Sequence, residues 1–223
     1  VREQQTQDAL TAAIIDTGLA MNRSGINQGT SGNVSARVAG GLLITPSGVP
    51  YEILEATDVV AMDLSGRPAA GSRRPSSEWR FHLDLYRARE DIHAIVHAHP
   101  RHCTALACHG IGIPAFHYMV AAAGGRDIRC AAYATFGTQA LSDAVVEAMV
   151  DRRACLLGNH GMIAAGRSLD RALALAVEVE SLAAQYIAAR ILGEPRHLDE
   201  TEMNRVLEKF RDYGDQTEGD DGA

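Results

Sequence analysis

Ile95-Val96-His97-Ala98-His99-Pro100 is the stretch on which the fold turns. β-Branched residues lead into an alternation of alanine and histidine, and a proline stops it, a pattern that predicts a strand over residues 94–99. Side chains two apart on a strand leave from the same face, so His97 and His99 can converge on one ion. A bare His-x-His is equally readable as two half-exposed polar residues. A second stretch tips the balance, because Cys155-Leu156-Leu157 also reads as strand and runs into Gly158-Asn159-His160-Gly161. Glycines there let the backbone turn sharply and approach a ligand closely. Three neutral imidazoles that leave one position exchangeable describe a catalytic zinc site better than a closed structural one.

Working outward, residues 8–23 place Leu10, Ala13, Ile14, Thr17 and Met21 on one helical face. Residues 27–33 have loop composition, and short apolar runs at 42–45 and 59–64 predict strands. Pro75-Ser76-Ser77-Glu78 signals a helix start ahead of Trp79, Phe81 and Leu85. Further helices are expected over 103–109, from about 117 to 124, and over 138–152, 170–192 and 200–211. Strands are expected at 154–157 and 162–165. With no repeat or linker, residues 1–223 read as one domain of mixed strands covered by helices. Residues 213–223 read as a mobile acidic tail.

Composition removes several classes of function. Asp and Glu number 28 against 21 Lys and Arg, a net charge of −7, which disfavours a general nucleic-acid binder. No uninterrupted apolar run approaches the ~20 residues of a membrane span. The polar start at Gln4, Gln5 and Gln7 speaks against a signal peptide. Cys103, Cys108, Cys130 and Cys155 form no CxxC pair and read as reduced thiols of a cytoplasmic protein.

Three small polar loops are suited to phosphate: Gly29-Thr30-Ser31-Gly32-Asn33, Thr45-Pro46-Ser47-Gly48 and Ser76-Ser77. Each offers backbone N–H groups or hydroxyls, and the last opens a helix, where unpaired amides favour an anion. None is a P-loop or a dinucleotide fingerprint, so the reading needs all three together. His82, His93, His102, His109, His117 and His197 lack paired spacing and read as packed, capping or solvated side chains. Of these, His102 and His117 are the candidates for supporting the metal ligands from behind.

Taken in order, Gln28 to Asn33, Ile44-Thr45-Pro46-Ser47-Gly48, Pro75 to Arg80, the His97/His99 pair, His117-Tyr118-Met119, Tyr133 to Gly137 and Asn159-His160-Gly161 resemble the class II aldolases, and the sugar-phosphate branch most of all. The resemblance extends to Lys209-Phe210-Arg211-Asp212-Tyr213. It implies an α/β, three-layer fold with a central, mostly antiparallel sheet flanked by helices, assembled as a homotetramer with its active site at a subunit interface. It further implies one zinc ion per subunit on His97, His99 and His160, with Glu78 as resting ligand and later acid/base. Gly32, Asn33, Ser47, Gly48, Ser76 and Ser77 match phosphate positions. Tyr118, from a neighbouring subunit, and Tyr213 match tyrosines near the aldehyde end, which Phe136 and Phe210 line.

The activity so implied is retro-aldol cleavage of a ketose 1-phosphate to dihydroxyacetone phosphate and an aldehyde. L-Fuculose 1-phosphate, 5-deoxyribulose 1-phosphate and 5-methylthioribulose 1-phosphate all suit the same residues. A sugar-phosphate 4-epimerase of the same superfamily carries an acidic residue after the position of Tyr118, where this chain has Met119. An adducin-head-like binding module lacks the metal ligands, and all four are present here.

Overall fold

The computed structural model describes residues 2–212, so Tyr213 and the expected tail lie outside the described residues. The chain begins with helix α1 (Arg2–Arg23), strands β1 (Asn33–Val38), β2 (Gly41–Ile44) and β3 (Val60–Asp63), helix α2 (Trp79–Ala88), strand β4 (Ala94–Ala98) and helix α3 (Arg101–Cys108). It continues through β5 (Arg129–Ala131), α4 (Gln139–Ala148), β6 (Ala154–Leu157), β7 (Gly161–Gly166), α5 (Leu169–Ile191) and α6 (Glu200–Asp212). The seven strands form one sheet in the order β3-β2-β1-β4-β7-β6-β5. Every neighbouring pair is antiparallel except β5 with β6, so the sheet is mixed and mostly antiparallel, as the resemblance implies.

Strand β4 sits at the centre of this order, and its five residues are all buried. Alternation along the strands divides the core into two layers. Val34, Ala36, Val96, Ala98, Leu156 and Ala164 face α1, α3 and α5. Leu42, Ile44, Ile95, Leu157 and Ile163 face α2 and α4, whose Phe81, Leu85, Leu141 and Val145 complete that side. Small residues set how near the helices lie. A Cβ built on Gly166 would stand 2.8 Å from the amide nitrogen of Ala172 in α5. Ala172, Ala176, Val179 and Ala183 are fully buried on the same helix. Length and composition alone would let α5 cross a membrane; packed in this way, it is a core helix. The expected face of α1 is also found, with Ile14 and Met21 at zero exposure.

Two strands, β1 and β5, escape the sequence reading, and one helix is corrected. β1 alternates Asn33, Ser35 and Arg37 with Val34, Ala36 and Val38, and its polar half disguises it as loop. The three residues of β5 are too few for a period to show. The segment expected to be a helix from about residue 117 is a 3-10 helix over Tyr118–Ala123, capped by the His117 side chain and ended by left-handed Gly124 at φ 89°. All four cysteines are free thiols.

Candidate active site

Strand order explains how the ligand residues meet. On β4, His97 pairs with Asn33 of β1 on one side and with Ile163 of β7 on the other. His99 follows just beyond the strand, and its ring centroid lies 4.8 Å from that of His97. The tight β6–β7 connection carries His160, whose ring is 4.9 Å from His97 and 4.8 Å from His99. Asn159 turns that corner with φ 52°. No side chain fits at Gly161, where a Cβ would lie 2.5 Å from the Ala98 carbonyl oxygen and 2.7 Å from His99 Cδ2. Glu78, the residue preceding α2, reaches in from the opposing layer. Its Oε2 is 3.1 Å from His97 Nε2, and its Oε1 is 3.2 Å from His160 Nε2.

Ligand atoms of Glu78, His97, His99 and His160 all lie within 4.8 Å of one another. His97 Nδ1 donates to the Met162 carbonyl at 2.9 Å, which turns Nε2 toward the cluster. There it meets His99 Nε2 at 3.0 Å. Glu78 Oε1 is buried and accepts no hydrogen bond. A buried carboxylate oxygen without a donor is costly in isolation and well placed to face a cation. Three imidazole nitrogens and one carboxylate suit a borderline divalent ion such as zinc. The residues present therefore fit a divalent metal.

Electrostatics agree with that reading. Burial pushes His99 down to about 3, helped by the charges of His97 and His160. Burial likewise takes His160 to about 4, with His97 adding to it. Both rings are therefore neutral near pH 7, the form a metal requires. Burial raises the Glu78 carboxyl, but His97, His160 and the Asn33 amide outweigh it and hold Glu78 at about 2, ionised.

The expected phosphate loops gather beside this cluster. Thr45 Oγ1 accepts from the Val34 amide, and the Thr45 amide donates to the Val34 carbonyl. Residues 46 and 75 form a β-bridge, while Ser47 and Ser76 donate backbone bonds to Arg74 and Thr45. Ser47, Gly48, Ser76 and Ser77 are thus brought together next to Glu78. Gly32 is buried against the His97 carbonyl, where a Cβ would lie 2.7 Å from that oxygen. Asn33 stands at the edge of this group, its side chain bonded to Glu78 on one side and His82 on the other. Ser76 Oγ accepts from the Glu78 amide, and Glu78 itself, not a serine, stands at the N-cap of α2.

The aldehyde-end residues are more scattered. Phe136 is exposed on the 133–137 loop, which rests on Ser77: the Gly137 carbonyl accepts from Arg80, and a Cβ on Gly137 would lie 2.8 Å from the Ser77 carbonyl oxygen. Tyr118 and Phe210 instead line a cavity of about 800 Å³ with Phe116, His117 and Arg205, and none of the four ligand residues borders it. Neither histidine nominated to support the ligands does so. His102 binds Glu180 at 2.8 Å on the surface, and His117 caps the Tyr118–Ala123 turn. Fully buried His82 is the one tied to the site, through Asn33.

The sequence profile of the class II aldolase and adducin N-terminal domain matches residues 12–187. A 5-methylthioribulose-1-phosphate/5-deoxyribulose-1-phosphate aldolase from Rhodospirillum rubrum is 53% identical over 210 residues, covering 94% of this chain and 95% of that one. An L-fuculose phosphate aldolase of Escherichia coli K12 is 50% identical over 209 residues, with 93% and 97% covered. Among solved structures, an L-fuculose 1-phosphate aldolase superposes with a TM-score of 0.88 at 41% identity, over 91% of this chain and 96% of that one. Fold and site together define a lyase of the aldolase class with a candidate metal centre. The chain belongs to the class II aldolase family.

Proposed function

We propose that residues 1–223 act as one class II aldolase-like domain, a cytoplasmic, zinc-dependent enzyme cleaving a ketose 1-phosphate to dihydroxyacetone phosphate and an aldehyde. The observation that carries this reading is the buried Glu78 Oε1, which accepts no hydrogen bond, among three histidines and beside loops rich in amides and hydroxyls. His97, His99 and His160 would hold the ion, with Glu78 as its fourth partner at rest. A zinc ion held there would supply Lewis acidity for the negative charge that retro-aldol cleavage leaves on the substrate. Displaced from the metal by substrate, Glu78 would lose the cations that keep it ionised while staying buried, so it could hold a proton. In condensation it would take that proton from the carbon of dihydroxyacetone phosphate, and in cleavage it would return it to the same carbon. Gly32, Ser47, Gly48, Ser76 and Ser77, with Asn33 at their edge, hold the phosphate, so that remote binding energy orients the reacting carbons. Tyr118 and Tyr213 handle the proton at the aldehyde oxygen, and Phe136 and Phe210 cover that end.

Cleavage of a panel of ketose 1-phosphates tests the proposal, read by coupled detection of dihydroxyacetone phosphate. L-Fuculose, 5-deoxyribulose and 5-methylthioribulose 1-phosphates are the compounds to compare, because relatives at 50% and 53% identity bear those names. At least one is expected to give a kcat/KM of about 10⁴ M⁻¹s⁻¹ or more. Differences among the three are expected to be modest, about 10–200-fold, since they differ by small groups at an apolar end. No release of dihydroxyacetone phosphate from any of them overturns the reading.

We also propose a ring-shaped homotetramer in which Tyr118 serves the metal of the next subunit. The supporting observation is that Tyr118 is 51% exposed on a cavity that the ligand residues do not border. Mixing Glu78→Gln with Tyr118→Phe subunits then rebuilds intact sites in about one position in four for random equal assembly. Activity is expected to rise well above that of either parent. Verified mixed rings no more active than the parents would place Tyr118 with its own chain's metal.

A further inference from the structure

Behind Glu78 runs a line of buried polar side chains of which the proposed chemistry uses only the first, Asn33. Asn33 Nδ2 lies 3.1 Å from Glu78 Oε2. Asn33 Oδ1 lies 2.5 Å from His82 Nε2, and His82 Nδ1 lies 2.7 Å from Ser35 Oγ. Ser35 Oγ in turn is 2.8 Å from the Tyr86 hydroxyl. Exposure along the line is 3% at Asn33 and 0% at both His82 and Ser35. Two periodicities build it. Asn33 and Ser35 are two apart on one face of β1, while Glu78, His82 and Tyr86 are four apart along α2.

The chemistry of one end fixes the direction of every bond. An ionised carboxylate only accepts, so the amide nitrogen of Asn33 must face Glu78. Its oxygen then faces His82 and needs a donor, which makes Nε2 the protonated ring nitrogen. Nδ1 is left as an acceptor, so Ser35 donates to it and the Tyr86 hydroxyl donates to Ser35. Every donor in the line points toward Glu78. Reversing one link would set two acceptors, or two hydrogens, against each other in a water-free layer.

We propose that His82 is a positioning residue for Glu78: locked in its Nε2–H tautomer by Ser35 and Tyr86, it holds the Asn33 amide so that it grips Glu78 Oε2 and leaves Oε1 turned to the metal. The inference rests on the role given to Glu78 above. It gives the Asn33 side chain a role at the carboxylate besides its place at the edge of the phosphate loops. A merely space-filling His82 would have no reason to keep one tautomer, nor would its loss separate turnover from substrate binding.

Three readouts test this, two of them independent of turnover. Long-range proton–nitrogen NMR correlations on the metal-free wild-type protein are expected to show His82 protonated at Nε2 alone; the Nδ1–H tautomer overturns the proposal. Zinc titration of His82→Leu is expected to give a dissociation constant raised about 10–100-fold, as for loss of a group that orients a ligand. Unchanged zinc affinity counts against it. In ketose 1-phosphate cleavage, His82→Leu is expected to lower kcat at least tenfold with KM within about threefold; a raised KM with kcat kept would mean that His82 holds Asn33 for the phosphate, and would overturn the proposal. Should His82→Leu not fold, Ser35→Ala carries the same zinc and kinetic tests, with Ser35→Thr expected to restore both because it keeps the hydroxyl. A wild-type protein inactive on every ketose 1-phosphate would sink the proposed function, while the tautomer and zinc affinity would still decide the role of His82.

Discussion

His97→Ala is expected to yield a protein that no longer retains zinc through gel filtration and that cleaves ketose 1-phosphates at least about 10³-fold more slowly. His97 is the ligand residue most firmly built into the fold. It is fully buried on the central strand, its Nδ1 is bonded to Met162, and its Nε2 meets both Glu78 and His99. Structural zinc sites with four protein ligands bind with ~10–16 kcal/mol at pH 7. An equal share gives each ligand about 3 kcal/mol, so loss of one weakens zinc about 10²-fold, and the misplaced ion accounts for the rest. The fold should survive. Two apolar layers built on seven strands do not depend on a metal, and the deleted ring gives up one hydrogen bond to the sheet, that to Met162. Metal analysis and urea unfolding check the two halves separately. A variant that keeps stoichiometric zinc and activity would show that His97 is not a ligand, and one that unfolds would show that the centre staples the fold.

Much of this centre was legible because its spacing follows from backbone geometry. His97 and His99 are two apart on a strand, and His160 follows an apolar strand into a glycine-flanked turn. Those patterns hold whatever the rest of the chain does. Glu78 was legible in another way, as part of a helix-start motif, although no local rule says that this helix start faces the metal. That meeting depends on α2 packing against β1 and β4, a long-range fact that periodicity does not carry.

The unread parts share one physical cause. β1 is hard to read because half of it is polar, and two of those three polar residues are buried in spite of it. Ser35 has no exposure at all, Asn33 only 3%. Sequence reading assigns such residues to solvent or to turns, since burial of an unpaired polar group is costly. Here the cost is offset by partners on α2 that lie about 50 residues away in sequence. Choosing His102 and His117 over His82 failed for the same reason. His102 follows the His97/His99 pair and His117 adjoins Tyr118, which favours those two, whereas the fold brings His82 to the ligands through Asn33. The signal that could have found it is the four-residue rhythm Glu78, His82, Tyr86 beside the two-residue rhythm Asn33, Ser35, Arg37. Arg37 completes the match, bonding the carbonyls of Tyr86, Arg89 and Ile92 at the end of α2.

Glu78→Gln separates what the metal does from what the carboxylate does. The substitution keeps shape and volume in a residue that is 5% exposed, so the packing of α2 on β1 should not change. Its side-chain oxygen can still accept from Asn33, as Glu78 Oε2 does at 3.1 Å. Three histidines remain for zinc, which should stay bound at micromolar metal. What is lost is a group able to carry a proton, because an amide neither takes nor gives one near neutral pH. General acid–base contributions run to ~10²–10⁴-fold, so exchange of the carbon-bound proton of dihydroxyacetone phosphate with deuterated solvent should slow by about that factor. Affinity for dihydroxyacetone phosphate should stay within about tenfold, or 1.4 kcal/mol, since the phosphate loops are untouched. Proton NMR in deuterated buffer follows the exchange, and calorimetry with the zinc-loaded variant follows the binding. Exchange at the wild-type rate would leave Glu78 a ligand and nothing more, and a phosphate affinity lost together with exchange would mean that the carboxylate organises the anion loops instead of moving the proton.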